Sequence, residues 1–255
     1  MFPISNIITN IKMKTKAVAL ALMGLMASSG FSSCGKDLVE YETGDVKVSV
    51  EKGDKWLHDF PMFLGIKKKN APQIAIWIED VNGNYLTTVY ATYKIATQGW
   101  QAADGNRRKE ALPHWCHSRG VVYADGLYLP TKDEPLVDGI TGATPRSSFD
   151  VKMKTVKDLR QFVVKVEVNH STDFNDSYPK NAKEGDANYS GGKEGSGQPA
   201  VIYRADVDLD SGKNSFEATL VGHSSPDGSD GEIYTDMTGL TSALEIVGRI
   251  KITVQ

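Results

Sequence analysis

Two cysteines, Cys34 and Cys116, are all that 255 residues contain. With Cys34 assigned to a targeting region, no intramolecular disulfide is left, and the fold must be held by its packed core. Long apolar runs are scarce too. The segment 17–27, rich in Ala, Val, Leu and Met, is too short for a permanent membrane-spanning helix. Neither sign of charge dominates: 29 basic and 32 acidic residues are mixed along the chain, for a net charge of -3. The absence of a basic stripe argues against a nucleic-acid partner. There is no nucleophile elbow, no phosphate-binding glycine loop and no spacing that ties Ser, His and Asp into a triad. No pair of carboxylates stands out for glycoside hydrolysis. No residue is therefore assigned a catalytic role.

What the N-terminal region does contain is an export pattern. Lys12, Lys14 and Lys16 precede the apolar segment 17–27, and Ser28-Ser29-Gly30-Phe31-Ser32-Ser33-Cys34-Gly35 follows it. Small residues closing such a segment just before a cysteine resemble the bacterial lipobox, with Phe31 in place of the usual Leu. The resemblance implies cleavage before Cys34, acylation of its thiol and attachment to a bacterial membrane from the extracytoplasmic side. The expected organisation is a signal peptide over 1–33, a lipidated tether over 34–45 and one β domain over 46–255. Met13 is an alternative start to Met1. A plain signal peptide cut nearby, or an N-terminal anchor with an incidental cysteine, is the other reading.

Strand signals recur through the mature part. Residues 46–50 alternate in polarity, 73–79 are strongly apolar, and 85–90 return after Asn82-Gly83-Asn84, a turn sequence that tolerates positive φ. Further strands are expected at 149–154, 162–168 and 249–254. A second hairpin is expected from 201–209 through a turn at 210–214 to 216–221. A short helix is expected only at 240–247. Many short strands joined by hairpins predict an all-β antiparallel sandwich, immunoglobulin-like, with long loops. Residues 98–122 and 173–199 fit no strand ladder, and loops of that length are usually functional or mobile.

Three constellations could carry chemistry. Asp138-Gly139-Ile140-Thr141-Gly142-Ala143-Thr144 resembles the flavinylation motif of bacterial FMN-binding domains. In those proteins a flavin transferase moves FMN from FAD onto the last threonine. The resemblance implies covalent FMN on Thr144, with Asp138, Thr141, Gly142 and Ala143 recognised by the transferase. Small neighbours leave room for a second active site to close over the hydroxyl. Pro145-Arg146-Ser147 departs from the commoner continuation. The other reading of 138–144 is a tight turn between strands.

His114-Trp115-Cys116-His117 is the metal candidate, but on an extended chain His114 and Cys116 share one face while His117 points away. His58, His170 and His223 are scattered, so a packed aromatic turn is preferred and no metal ligand is assigned. Calcium is considered at 206–210 with Glu217, and at Asp227-Gly228-Ser229-Asp230-Gly231-Glu232. Both segments also read as ordinary hairpin turns.

Several stretches together resemble the predicted periplasmic proteins grouped as domain of unknown function 2271. They are Ala71-Pro72-Gln73-Ile74-Ala75-Ile76-Trp77-Ile78-Glu79-Asp80, Gly83-Asn84-Tyr85, Ala111-Leu112-Pro113, Trp115, residues 117–120 and residues 138–145. The resemblance covers about 46–168 and implies an extracytoplasmic β domain. Families with this threonine motif tend to occur with flavin transferases and membrane redox proteins. Two functions follow. In the first, FMN on Thr144 transfers electrons for a membrane redox partner, with Trp100, Trp115 or Tyr123 covering its ring. In the second, the chain is a non-catalytic binding or assembly lipoprotein whose contact surface is the 173–199 loop.

Overall fold

The computed structural model describes residues 45–61, 64, 66–100, 107–154 and 159–254. The predicted signal, Cys34 and residues 35–44 lie outside the described residues. The described residues belong to one compact unit. It is an all-β sandwich with two short helices.

The four-stranded sheet is built around β1 (Val46–Lys52), which pairs antiparallel with β12 (Val247–Val254) and with β7 (Phe149–Met153). A short strand, β10 (Ser215–Glu217), extends it beyond β12. The alternation read in β1 is literal: Val46, Val48 and Val50 are buried, while Lys47, Ser49 and Glu51 are half-buried on the other face.

The opposing sheet has six strands in the order β11 (Thr219–His223), β9 (Val201–Asp208), β8 (Gln161–Asn169), β4 (Gln73–Glu79), β5 (Tyr85–Thr92) and β6 (Ile140–Gly142). All pairs are antiparallel except β5 with β6, which run parallel. The main core lies between the sheets, where Ile74, Ile76, Ile78, Val164, Val166 and Tyr203 meet Val48, Phe149, Ile250 and Ile252. Each such fully buried side chain contributes roughly 1.5–3 kcal/mol.

A second apolar cluster covers the outer face of the six-stranded sheet. There Ala75 and Trp77 pack under α1 (Tyr93–Thr97), α2 (Pro113–Ser118) and the following loop, with Ile95, Leu112, Trp115 and Leu129. β4 is thus buried on both faces, which is why it reads as an unbroken apolar run rather than an alternating one. The β4–β5 turn is closed by Asp80, whose carboxylate accepts the backbone N–H groups of Asn82 and Asn84, while Gly83 supplies φ +87°.

Three local expectations are corrected. The expected return strand at 216–221 is two strands: β10 joins β12, and β11 joins β9, so the chain crosses between sheets near Ala218. That residue donates its N–H to the Ile250 carbonyl at 3.0 Å. The expected C-terminal helix shrinks to a 3-10 turn, Ser242–Glu245. The short helices lie instead at α1 and α2, outside the 240–247 segment where alone one was expected. An immunoglobulin-like connectivity is not established by this strand order. Finally, β2 (His58–Pro61) and β3 (Lys67–Asn70) form a separate two-stranded sheet.

Candidate functional site

The 138–144 segment runs along the free edge of β5. Asp138 is exposed, and its carboxylate accepts a very short hydrogen bond from the Tyr85 hydroxyl. Tyr85 in turn meets Thr88 Oγ1 at 2.6 Å, and Thr88 Oγ1 accepts from Trp115 Nε1 at 3.1 Å. Since Tyr85 donates to Asp138, the Thr88 hydroxyl donates to Tyr85, and a directed chain links the buried Trp115 to the surface carboxylate. Burial and the Asp138 charge both push the Tyr85 hydroxyl well above its ordinary pKa.

Gly139 is where the chain grazes β5: a Cβ there would sit 2.7 Å from Thr88 Cγ2. The strand β6 then pairs residue by residue with Tyr90, Ala91 and Thr92. The Tyr90 hydroxyl donates to the Gly142 carbonyl at 3.2 Å. Thr141 and Ala143 are exposed, and Gly142 is half-buried.

Thr144 lies just beyond β6, half-buried, with its Oγ1 at 2.6 Å from Thr92 Oγ1. Thr92 is itself anchored, accepting the Ile74 N–H at 2.9 Å. Pro145 is buried, and its carbonyl accepts from Trp56 Nε1 at 3.0 Å. The residue that departs from the commoner motif therefore pins the end of the segment.

Ala143 and Thr144 form part of the wall of a cavity of about 610 Å³. That size is in the range of sites for cofactor-sized ligands, roughly 300–1,000 Å³. Around them stand Phe60 and Lys68 of the β2–β3 sheet, Tyr93 and Lys94 at the start of α1, then Trp100, Arg108 and Arg146. His58 and His170, with ring centroids 5.1 Å apart, line another side.

Trp100 is held by a hydrogen bond from Nε1 to Gln98 Oε1 at 2.9 Å. The Arg108 guanidinium lies 4.6 Å from its ring centroid. Arg108 is neutralised by Glu110 at 2.8 Å. Among the described residues neither Lys68 nor Lys94 has a carboxylate partner. Burial, then the neighbouring cations Lys68 and Arg108, hold the Lys94 ammonium below its ordinary pKa. The cavity is therefore positive, with Glu194 as the carboxylate among its described lining residues.

Of the three aromatic residues expected to cover a flavin ring, Trp100 alone is among the described lining residues. Trp115 is buried in the second core, and Tyr123 packs with Arg107 and Arg119. Sequence reasoning missed Phe60, Tyr93 and the cations. The signal available was the run Lys67-Lys68-Lys69 beside an apolar strand, but nothing local ties it to residue 144.

The metal candidates are engaged elsewhere. His114, Trp115 and Cys116 sit on α2 rather than on an extended chain. His114 Nδ1 donates to the Gly231 carbonyl at 2.5 Å, and its Nε2 accepts from Lys165 Nζ at 2.9 Å. Burial and Lys165 hold His114 down at about 4. Cys116 is buried and its thiol is strongly raised, while His117 stacks on Tyr128 at 4.1 Å. Asp206, Asp208 and Asp210 are used by Arg204, Gln161 and Arg160. Asp227 and Asp230 close their own turns. Among the described residues no group of three His, Cys, Asp or Glu side chains converges on a metal position.

The 173–199 segment is tied to the domain rather than loose. Buried Asp173 and Gln198 form a hydrogen-bonded cluster with half-buried Ser242 at its base. Among the described residues no helix is long and apolar enough to cross a membrane.

Fold and site together define a β-sandwich domain, with a small third sheet, that carries a cationic, aromatic-walled cavity at the edge of its six-stranded sheet. Neither a protein-family model, a curated protein nor a solved structure matches the chain.

Proposed function

We propose that this protein is an extracytoplasmic electron carrier, lipid-anchored through Cys34 and holding FMN covalently on Thr144. One observation carries the reading. Among the described residues Thr144, the residue that the motif nominates, is the motif hydroxyl lining the cavity, beside aromatic side chains and two lysines without a carboxylate partner.

Loading requires a flavin transferase acting on FAD. Thr144 Oγ1 bonds to the FMN-side phosphorus, the bond to the AMP phosphate breaks, AMP leaves, and the threonine proton passes to solvent or to the transferase. The esterified oxygen still accepts a hydrogen bond, which Thr92 is placed to donate. The bound cofactor would supply one- and two-electron transfer. The chain's own contribution is to seat it against Trp100, shield it from bulk water and present it to a membrane redox partner.

The test is intact mass with visible absorbance, for wild type and Thr144→Ala, both made with a working flavin transferase. A flavin-sized increment and yellow colour in wild type, lost in the variant, are expected. An unmodified wild-type mass would sink the covalent reading and return the chain to a binding or assembly lipoprotein that uses the 173–199 surface.

A further inference from the structure

The charge of the cavity exceeds what a covalent linkage needs. A phosphodiester on Thr144 carries one negative charge. Lys68, Lys94 and Arg146 all face the cavity, Lys68 and Lys94 without a carboxylate partner among the described residues. Arg146 is steered there by a hydrogen bond from its guanidinium to the Lys69 carbonyl at 2.7 Å. Glu194 offsets one of the three. A free phosphomonoester, by contrast, carries about 1.5 to 2 negative charges at neutral pH. Two ammonium groups without a carboxylate partner among the described residues, one of them 5.7 Å from the Trp100 ring centroid, and a guanidinium suit that dianion better than the diester.

The rest of the wall suits a flat ring. Trp100 is buried except for the surface it turns to the cavity, and Arg108 and Gln98 fix its orientation. Phe60 and Tyr93 add aromatic surface.

We infer that the cavity is a receptor for a free phosphorylated planar heteroaromatic ligand, with Lys68, Lys94 and Arg146 reading the phosphate and Trp100 the ring. This rests on the proposed function for the choice of a flavin as ligand, and it requires no covalent bond. Binding of free FMN is a step distinct from attachment.

The probes are FMN and riboflavin, which differ by the phosphate alone. Each is titrated by flavin fluorescence into the full mature chain carrying Thr144→Ala, which cannot be esterified. FMN is expected to bind about tenfold or more tightly than riboflavin at low salt. That ratio should shrink in 0.5 M salt, roughly where screening reaches a few ångströms. Lys68→Met with Lys94→Met should remove most of the preference by weakening FMN far more than riboflavin; riboflavin binding and the circular dichroism spectrum check that Trp100, over which Lys94 Nζ lies at 5.7 Å, keeps its place. Equal affinity for the two flavins, no binding of either, or a preference that survives the lysine substitutions would overturn the inference. The outcome is separable from the mass measurement. Selective binding with an unmodified wild type defeats covalent attachment alone, and a modified wild type without selectivity defeats this inference alone.

Discussion

The hydroxyl oxygens of Thr92 and Thr144 lie 2.6 Å apart, joining the end of β5 to the residue that follows β6. Thr92 is buried, and its Oγ1 also lies 3.3 Å from the Ile74 carbonyl. Its hydrogen therefore has two acceptors, Ile74 and Thr144. The pair can reverse its donor direction without moving a heavy atom, so the Thr144 oxygen is held whether or not it carries a hydrogen.

Thr92→Val keeps the shape and removes that oxygen. The Ile74 N–H is then left without its acceptor, at a cost of about 1–3 kcal/mol. Urea unfolding should show this loss, and Thr92→Ser should retain most of the stability because it keeps Oγ. A valine variant as stable as wild type would mean that the Thr92 hydroxyl is not a structural acceptor.

Gly139→Ala places a methyl 2.7 Å from Thr88 Cγ2 and 2.9 Å from its Cβ. The segment must shift away from β5, costing about 1–3 kcal/mol. Adding Thr88→Ser removes the nearest carbon and keeps the hydroxyl that serves Trp115 and Tyr85. Partial recovery in the double variant is expected from denaturation midpoints, and additive losses would contradict the steric account.

Lys165 and Glu79 form an ion pair at 3.0 Å beneath the outer layer, with both side chains at least nine-tenths buried. Lys165→Met strands the carboxylate and takes the donor from His114 Nε2, so a loss of about 3–5 kcal/mol is expected. Glu79→Gln in the same chain removes the stranded charge and keeps an oxygen for Trp77 Nε1, 2.9 Å away. Calorimetry should find the double variant more stable than Lys165→Met alone.

Stability should peak near pH 6.5. Burial holds His114 and His170 at about 4, below the unfolded value of 6.5. The unfolded chain therefore takes up those protons first, and stability falls as pH drops from 6.5 to 4. Burial raises Glu167 to about 8 from 4.5, against the N–H groups of His114 and Trp115 that hold its carboxylate. The folded chain keeps that proton, so stability also falls as pH rises from 6.5 to 8. Each net proton is worth about 1.4 kcal/mol per pH unit. His170→Gln should flatten the acid limb and Glu167→Gln the alkaline one, read from urea unfolding across pH 4 to 8.5.

Strands with local signals were legible: β1 through its alternation, the β4–β5 hairpin through Asn82-Gly83-Asn84, and β8 and β12 through β-branched runs. What escaped depends on distant contacts. β6 is three residues whose pairing comes from β5, some 50 positions earlier. α2 begins at Pro113, and its first N–H groups are received by Glu167 from another strand. The split of 216–221 was hidden because each half is too short to show which sheet it joins. In the site, the motif pointed to Thr144, but the cations beside it come from residues 68, 94, 108 and 146, and that gathering has no counterpart in local sequence.

The parallel pairing of β6 has a mechanical side. It lies at the margin of its sheet with one neighbour, so peeling residues 140–142 away breaks only the few hydrogen bonds to β5 and leaves every other strand paired. At its two ends the segment is held by the hydrogen bonds of Tyr85 to Asp138 and of Trp56 to the Pro145 carbonyl. A foreign active site could then receive Thr144 as a short bight of chain, like a slack stitch lifted from a hem, while the cloth behind it stays whole.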